Sequence, residues 1–147
     1  MRWENTLMAY EKDIKSKSFG DWIKAHTSFM KPLHKYEGML ELNGGKTIFK
    51  GRDPKEDRDF NLEIPIKDIA DIYLGFDSVF RKREDRQTAI RGFVPLRITY
   101  KSREGEKSLY LFANFHHSKY GWRTSDNKEV YEKLESSLGS RLTHQTK

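Results

Sequence analysis

A mainly β domain closed by a single C-terminal helix is the fold class this chain predicts, and three observations predict it. Apolar residues recur mainly at every second position from Tyr36 to Phe115, the period of strands buried on one face. From Ser125 to Leu142 they recur at helical spacing. Between the first two alternating runs lies Asn43-Gly44-Gly45, residues that accept the positive φ angles of a tight hairpin turn. The expected object is a β-barrel or sandwich of about seven antiparallel strands, closed by the helix and preceded by a helical extension. Its expected segments are a helical extension over 1–32 and a β domain over 33–142 with its helix at 125–138.

Taken in order, Trp3, Leu7, Tyr10 and Ile14 fall at spacings of four, three and four, which predicts one face of a first helix. Phe19-Gly20 interrupts it. Asp21 caps a second predicted helix with Trp22, Ile23, His26, Phe29 and Met30 on its apolar face, and Pro32 stops it. Met39–Leu42 and Lys46–Phe49 form the predicted hairpin, and Gly51 to Asp59 reads as a polar loop. Phe60, Leu62, Ile64 and Ile66 then alternate with polar residues, with Pro65 marking an edge or a bend. Ile72 to Phe76 predicts a further strand.

Residues 77–92 read as a charged connection. Val94, Leu96, Ile98 and Tyr100 alternate cleanly, and Ser102 to Lys107 makes a turn around Gly105. Leu109, Leu111 and Phe115 with Tyr110 and Phe112 form a strand apolar on both faces, so a central position is expected. Ser125-Asp126-Asn127 supplies helix caps, with Asp126 and Glu129 spaced as a capping box. Val130, Tyr131, Leu134 and Leu138 give the helix its apolar face, and Gly139 stops it.

Composition bounds the function. Hydrophobic and charged residues are nearly equal at 35% and 34%, so the core is modest, and aromatics at 13% enlarge what it buries. The absence of cysteine excludes a disulfide scaffold and thiolate metal sites. Met1–Asn5 carries no apolar signal core, and no stretch approaches the roughly 18 to 20 apolar residues of a membrane span. The expectation is a soluble, cytoplasmic protein. The net charge of +6 is compatible with anionic partners.

The hairpin at 37–50, the run Ile64-Pro65-Ile66-Lys67-Asp68-Ile69-Ala70-Asp71-Ile72, the pair at 93–115 and the helix at 125–138 together resemble the pleckstrin-homology-like (PH-like) superfold. Within it they resemble the GRAM-like and bacterial PH-like domains over about residues 35–140. The run at 64–72 is similar to the family's strand-to-strand transition. The resemblance implies a binding fold whose members take lipid headgroups, peptides or other domains. The helical residues before the hairpin and the long insertion at 77–92 depart from the family pattern, and no headgroup signature carries over.

The candidate ligand- or partner-binding residues fall in two loops. Arg81, Lys82, Arg83, Arg86 and Arg91 bring guanidinium forks and positive charge together, the chemistry that phosphate recognition needs, although Glu84 and Asp85 can neutralise them. His116, His117 and Trp122 stand in an aromatic-rich loop. Adjacent histidines on a strand point to opposite faces and do not chelate one metal together. No metal or cofactor is expected. The chain has no G-x-S-x-G, no P-loop, no G-x-G-x-x-G and no cysteine nucleophile, so no catalytic residue is assigned and no enzyme is expected. Basic charge with aromatics is also the footprint of RNA binding, but no such motif is present and nucleic acid is not an expected partner. The expected function is docking of a protein or peptide at a sheet edge or barrel rim. The alternative is peripheral binding to an anionic membrane or phosphate ligand through the 81–91 loop. A homodimer is compatible with either.

Overall fold

The computed structural model describes residues 1–16, 34–80, 94–117 and 123–139. The elements are β1 (Arg2–Tyr10), α1 (Glu11–Lys15), β2 (Tyr36–Asn43), β3 (Lys46–Asp53), β4 (Arg58–Pro65), a 3-10 turn (Ile66–Asp68) and β5 (Ile69–Leu74). They continue with β6 (Leu96–Ser102), β7 (Gly105–Phe112), the short strands β8 (His116–His117) and β9 (Arg123–Thr124), and α2 (Asn127–Leu138). Seven strands form one sheet in the order β4-β3-β2-β1-β7-β6-β5, with every neighbouring pair antiparallel.

This order dictates the shape. β4 and β5 are the two edges of the sheet, yet only the three-residue 3-10 turn joins them. Six strand spacings of about 4.8 Å would hold flat edges roughly 29 Å apart. The link spans at most about 14 Å. The sheet therefore rolls until one corner of β4 meets one corner of β5. It is not closed into a barrel, because β4 and β5 share no ladder. Two facing glycines, Gly38 and Gly51, let β2 and β3 approach closely within the rolled sheet: a Cβ on either would collide with the opposing backbone.

The main core lies inside the roll. Met8, Leu40, Phe49, Ile64, Ile72, Leu96, Ile98, Leu109 and Leu111 line it, and Val130, Leu134 and Leu138 of α2 cover it. A second cluster occupies the opposite face of the central strands, where Leu7, Ala9, Tyr110 and Phe112 pack with Ile14 and Phe80. β1 and β7 are thus apolar on both faces, as the sequence led one to expect for β7, which lies between β1 and β6.

The helical reading of the N-terminus is overturned for residues 2–10, which form a central strand pairing with β2 and β7. Among the described N-terminal residues helix occupies Glu11–Lys15, and the predicted second helix lies outside the described residues. The physical reason is a bulge. The register between β1 and β2 shifts between Trp3 and Thr6, and Asn5 has φ of 50°. Trp3 therefore faces the inner core together with Met8, while Leu7 and Ala9 face the outer cluster. A bulged strand buried on both faces scatters its apolar residues at spacings that imitate a helix.

The hairpin forms as expected, but its turn is centred on Gly44 and Gly45, with φ of 60° and 83°. β3 and β4 extend into the predicted polar loop, which shrinks to a turn over 54–57. There Asp53 Oδ1 accepts the N–H groups of Lys55 and Glu56. The predicted strand at 72–76 is shifted to Ile69–Leu74.

The helix starts at its expected place without the expected capping box. Asp126 occupies the N-cap position, but its carboxylate accepts from Asn114 Nδ2 at 2.8 Å. Glu129 accepts from Trp3 Nε1 at 2.9 Å, which ties α2 to β1. Asn127 is fully buried. Its side chain accepts the Ala113 N–H and donates to the carbonyls of Val94 and Leu111. Gly139, with φ of 59°, ends the helix as expected.

Candidate functional site

Of the residues the sequence proposes as a site, Arg81, Lys82, Arg83, Arg86, Arg91 and Trp122 lie outside the described residues. His116 and His117 form β8, which pairs with β9 through His116–Thr124 and His117–Arg123. The His116 ring hydrogen-bonds through Nδ1 with the Asn114 carbonyl. Among the described residues no group of three or more His, Asp or Glu side chains is placed to hold a metal ion. No helix among them is long and apolar enough to cross a membrane.

A polar network that the sequence reading did not assemble sits at the start of the charged connection. Asp77 Oδ2 accepts from Arg97 Nη1 at 2.9 Å and from the Tyr110 hydroxyl at 2.7 Å. Its Oδ1 accepts the N–H groups of Val79 and Phe80. Arg97 also reaches Asp71 at 3.5 Å and lies over the Tyr73 ring. Burial raises the proton affinity of Asp77, but these hydrogen bonds outweigh it and hold the carboxyl below its ordinary pKa. Burial, reinforced by the bond to Asp77, pushes the Tyr110 phenol upward. The network pins Phe80 over Tyr110 and Phe112, so it closes the outer cluster. Its carboxylate is saturated by four donors, which makes it a latch rather than a proton-transfer site.

An open cavity of about 460 Å³ lies on the outer face where β1 bulges, between Asn5, Met39, Lys50, Pro54 and Phe115. Its charges are largely spent on one another or on neighbours: Glu4 pairs with Arg2, Glu37 with His34, and Arg52 with Asp57. Among the described residues the cavity therefore presents no convergent set of groups for a charged small ligand.

The free edge of β4 is the other feature. Asn43 and Lys46 close a two-residue turn and so form a hydrogen-bonded pair. Alternation from that pair directs the N–H and C=O groups of Thr47, Phe49, Gly51 and Asp53 toward β4. There they meet Ile64, Leu62, Phe60 and Arg58. The backbone groups of Asp59, Asn61 and Glu63 consequently point away from β3, and no strand pairs with them among the described residues. Asp59, Asn61 and Glu63 are exposed. Even the inward Phe60 and Leu62 are only half-buried. Across the sheet from Leu62, Phe49 and Leu40 are 3% and 1% exposed, so the apolar row is complete inside and open at its end.

The sequence indicated this edge only through Pro65. Asp59 fell in the predicted loop, and Asn61 and Glu63 read as a solvated strand face, because half-buried alternation is the same whether or not a further strand lies alongside. The chain matches no protein-family model, no curated protein and no solved structure.

Proposed function

We propose that the protein is a non-enzymatic, PH-like binding or scaffolding module that takes an extended segment of a partner protein onto the free edge of β4. One observation carries the reading: an edge strand of eight residues whose outward N–H and C=O groups have no partner strand among the described residues. Backbone pairing supplies the affinity in such an addition, and alternate side chains supply the selectivity. Pro65 ends the usable edge, since it offers no N–H. Two antiparallel meanders, β1–β4 and β5–β7, joined through the β1–β7 ladder and followed by a helix, support the PH-like reading.

The test uses the variant Asn61→Pro. Its N–H is outward and outside the ladder, so the edge tolerates the substitution while losing a central donor. Panning a random-peptide library on the full chain should enrich extended peptides that fail to bind the variant, while the variant keeps a melting temperature near that of the wild type. Peptides that bind both proteins equally, or no enrichment, would overturn the reading. The anionic-surface alternative makes a contrary prediction. It requires salt-sensitive binding to anionic vesicles that survives Asn61→Pro and is lost when Arg81, Lys82, Arg83 and Arg86 are reversed in charge.

A further inference from the structure

We infer that the segment received by β4 alternates basic and apolar residues, and that it is not β4 of a second copy. The inference rests on the docking reading above and adds the chemistry of the partner.

The outer face of the sheet sets the first half of the pattern. Glu37, Arg52 and Asp59 stand side by side across β2, β3 and β4, so charge alternates toward the edge and ends on a carboxylate. Asp59 has no ion-pair partner among the described residues. Glu63, two positions along the same face, reaches only Lys46 among the described residues, at 3.3 Å, and its side chain stays 59% exposed. A strand laid against β4 places its own side chains directly opposite these carboxylates, where a cation is favourable and an anion is not. Behind them on β3 stand cations, Arg52 in register with Asp59 and Lys50 with Asn61, so the carboxylates are carried by the outermost face of β4.

The inner face sets the second half. Phe60 stacks on Tyr36 with ring centroids 3.9 Å apart, and Leu62 ends the row begun by Leu40 and Phe49. Both are half-buried, so an apolar side chain opposite either one covers surface that now meets water. Read in antiparallel order from Glu63 to Asp59, the complementary segment is basic, apolar, neutral polar, apolar, basic.

The same charges exclude self-pairing. The antiparallel register that aligns all three outward residues of two β4 strands sets Asn61 against its own copy and Asp59 against Glu63 at both ends. Like charges directly opposite one another destabilise a strand pair, and charged edge residues are a recognised defence against edge-to-edge association.

The experiment titrates the full chain with two blocked peptides, Lys-Val-Thr-Val-Lys and Glu-Val-Thr-Val-Glu, following the β4 backbone amides by NMR. The basic peptide should shift the amides of Asp59, Asn61 and Glu63 and bind at least tenfold more tightly than the acidic one. The doubly substituted Asp59→Lys, Glu63→Lys protein, altered only at exposed side chains, should reverse that order. Equal binding of both peptides, lost in Asn61→Pro, would overturn the charge inference and leave the docking reading standing. Neither peptide moving the β4 amides would overturn both. Sedimentation of the wild type showing a dimer that Asn61→Pro dissolves would overturn the exclusion of a second copy.

Discussion

Asp77 carries more of the outer face than its place in a charged connection suggests. Four donors converge on one carboxylate, and through it the turn bearing Phe80 is fastened to β6 and β7. The folded pKa lies below the ordinary value of 3.8, so in acid the unfolded chain binds more protons than the native one. The stabilisation is therefore present above the ordinary value and is lost as pH falls through the folded one. Urea midpoints measured from pH 7 to pH 2 should drop steeply below about pH 4 for the wild type. Asp77→Asn should be less stable at neutral pH and show a flatter drop in acid. Parallel curves for the two proteins would show that Asp77 is not the acid-sensitive group. Little of this was legible in the sequence. Asp77 stands 20 residues from Arg97 and 33 from Tyr110, and no local pattern joins them.

At the scale of elements, the readings that held are those set by local chemistry. Gly44 and Gly45 accept positive φ, so the β2–β3 hairpin was readable from its turn alone. The double apolar face of β7 predicted its inner place, and Pro65, read as an edge or a bend, stands at the end of the edge strand β4. β1 failed because its pattern is the sum of two faces and a bulge. Glu4-Asn5-Thr6, a polar break inside an apolar run, was the available signal, since Thr6 is fully buried with its hydroxyl bonded back to the Trp3 carbonyl. The capping box failed because tertiary partners claimed both of its side chains: Asn114 took Asp126, and Trp3 took Glu129. The glycine pair at the roll makes a prediction about the β2–β3 ladder. Gly38→Ala forces a Cβ into the Lys50–Gly51 backbone and should cost about 1–3 kcal/mol, the usual range for overpacking. Urea unfolding would measure it. A variant as stable as the wild type would show that the strands can part at this point without loss.

For the whole molecule, the decisive fact is that the first strand sits in the middle of the sheet. β1 joins β2, and through it β3 and β4, to β7, β6 and β5. Both hydrophobic clusters use it, the inner through Trp3 and Met8 and the outer through Leu7 and Ala9. A chain lacking residues 1–10 should therefore show no cooperative thermal unfolding, whereas removal of a peripheral extension would leave a folded domain. A sharp transition in the truncated protein, followed by circular dichroism, would refute the central role of β1.

The sequence by itself determined the mainly β fold class, the β2–β3 hairpin, the alternation of the later strands and the closing helix, because strand period and turn residues act over a few neighbouring residues. Tertiary structure alone decided that the N-terminus completes the sheet, that the two edges meet at one corner and that Asp77 is a latch. It alone left the acidic side of β4 unpaired among the described strands. Each of these depends on residues far apart in the chain. Their pairing is fixed only when the rolled sheet brings them together, since the local alternation that makes a strand is the same at an edge as in the centre.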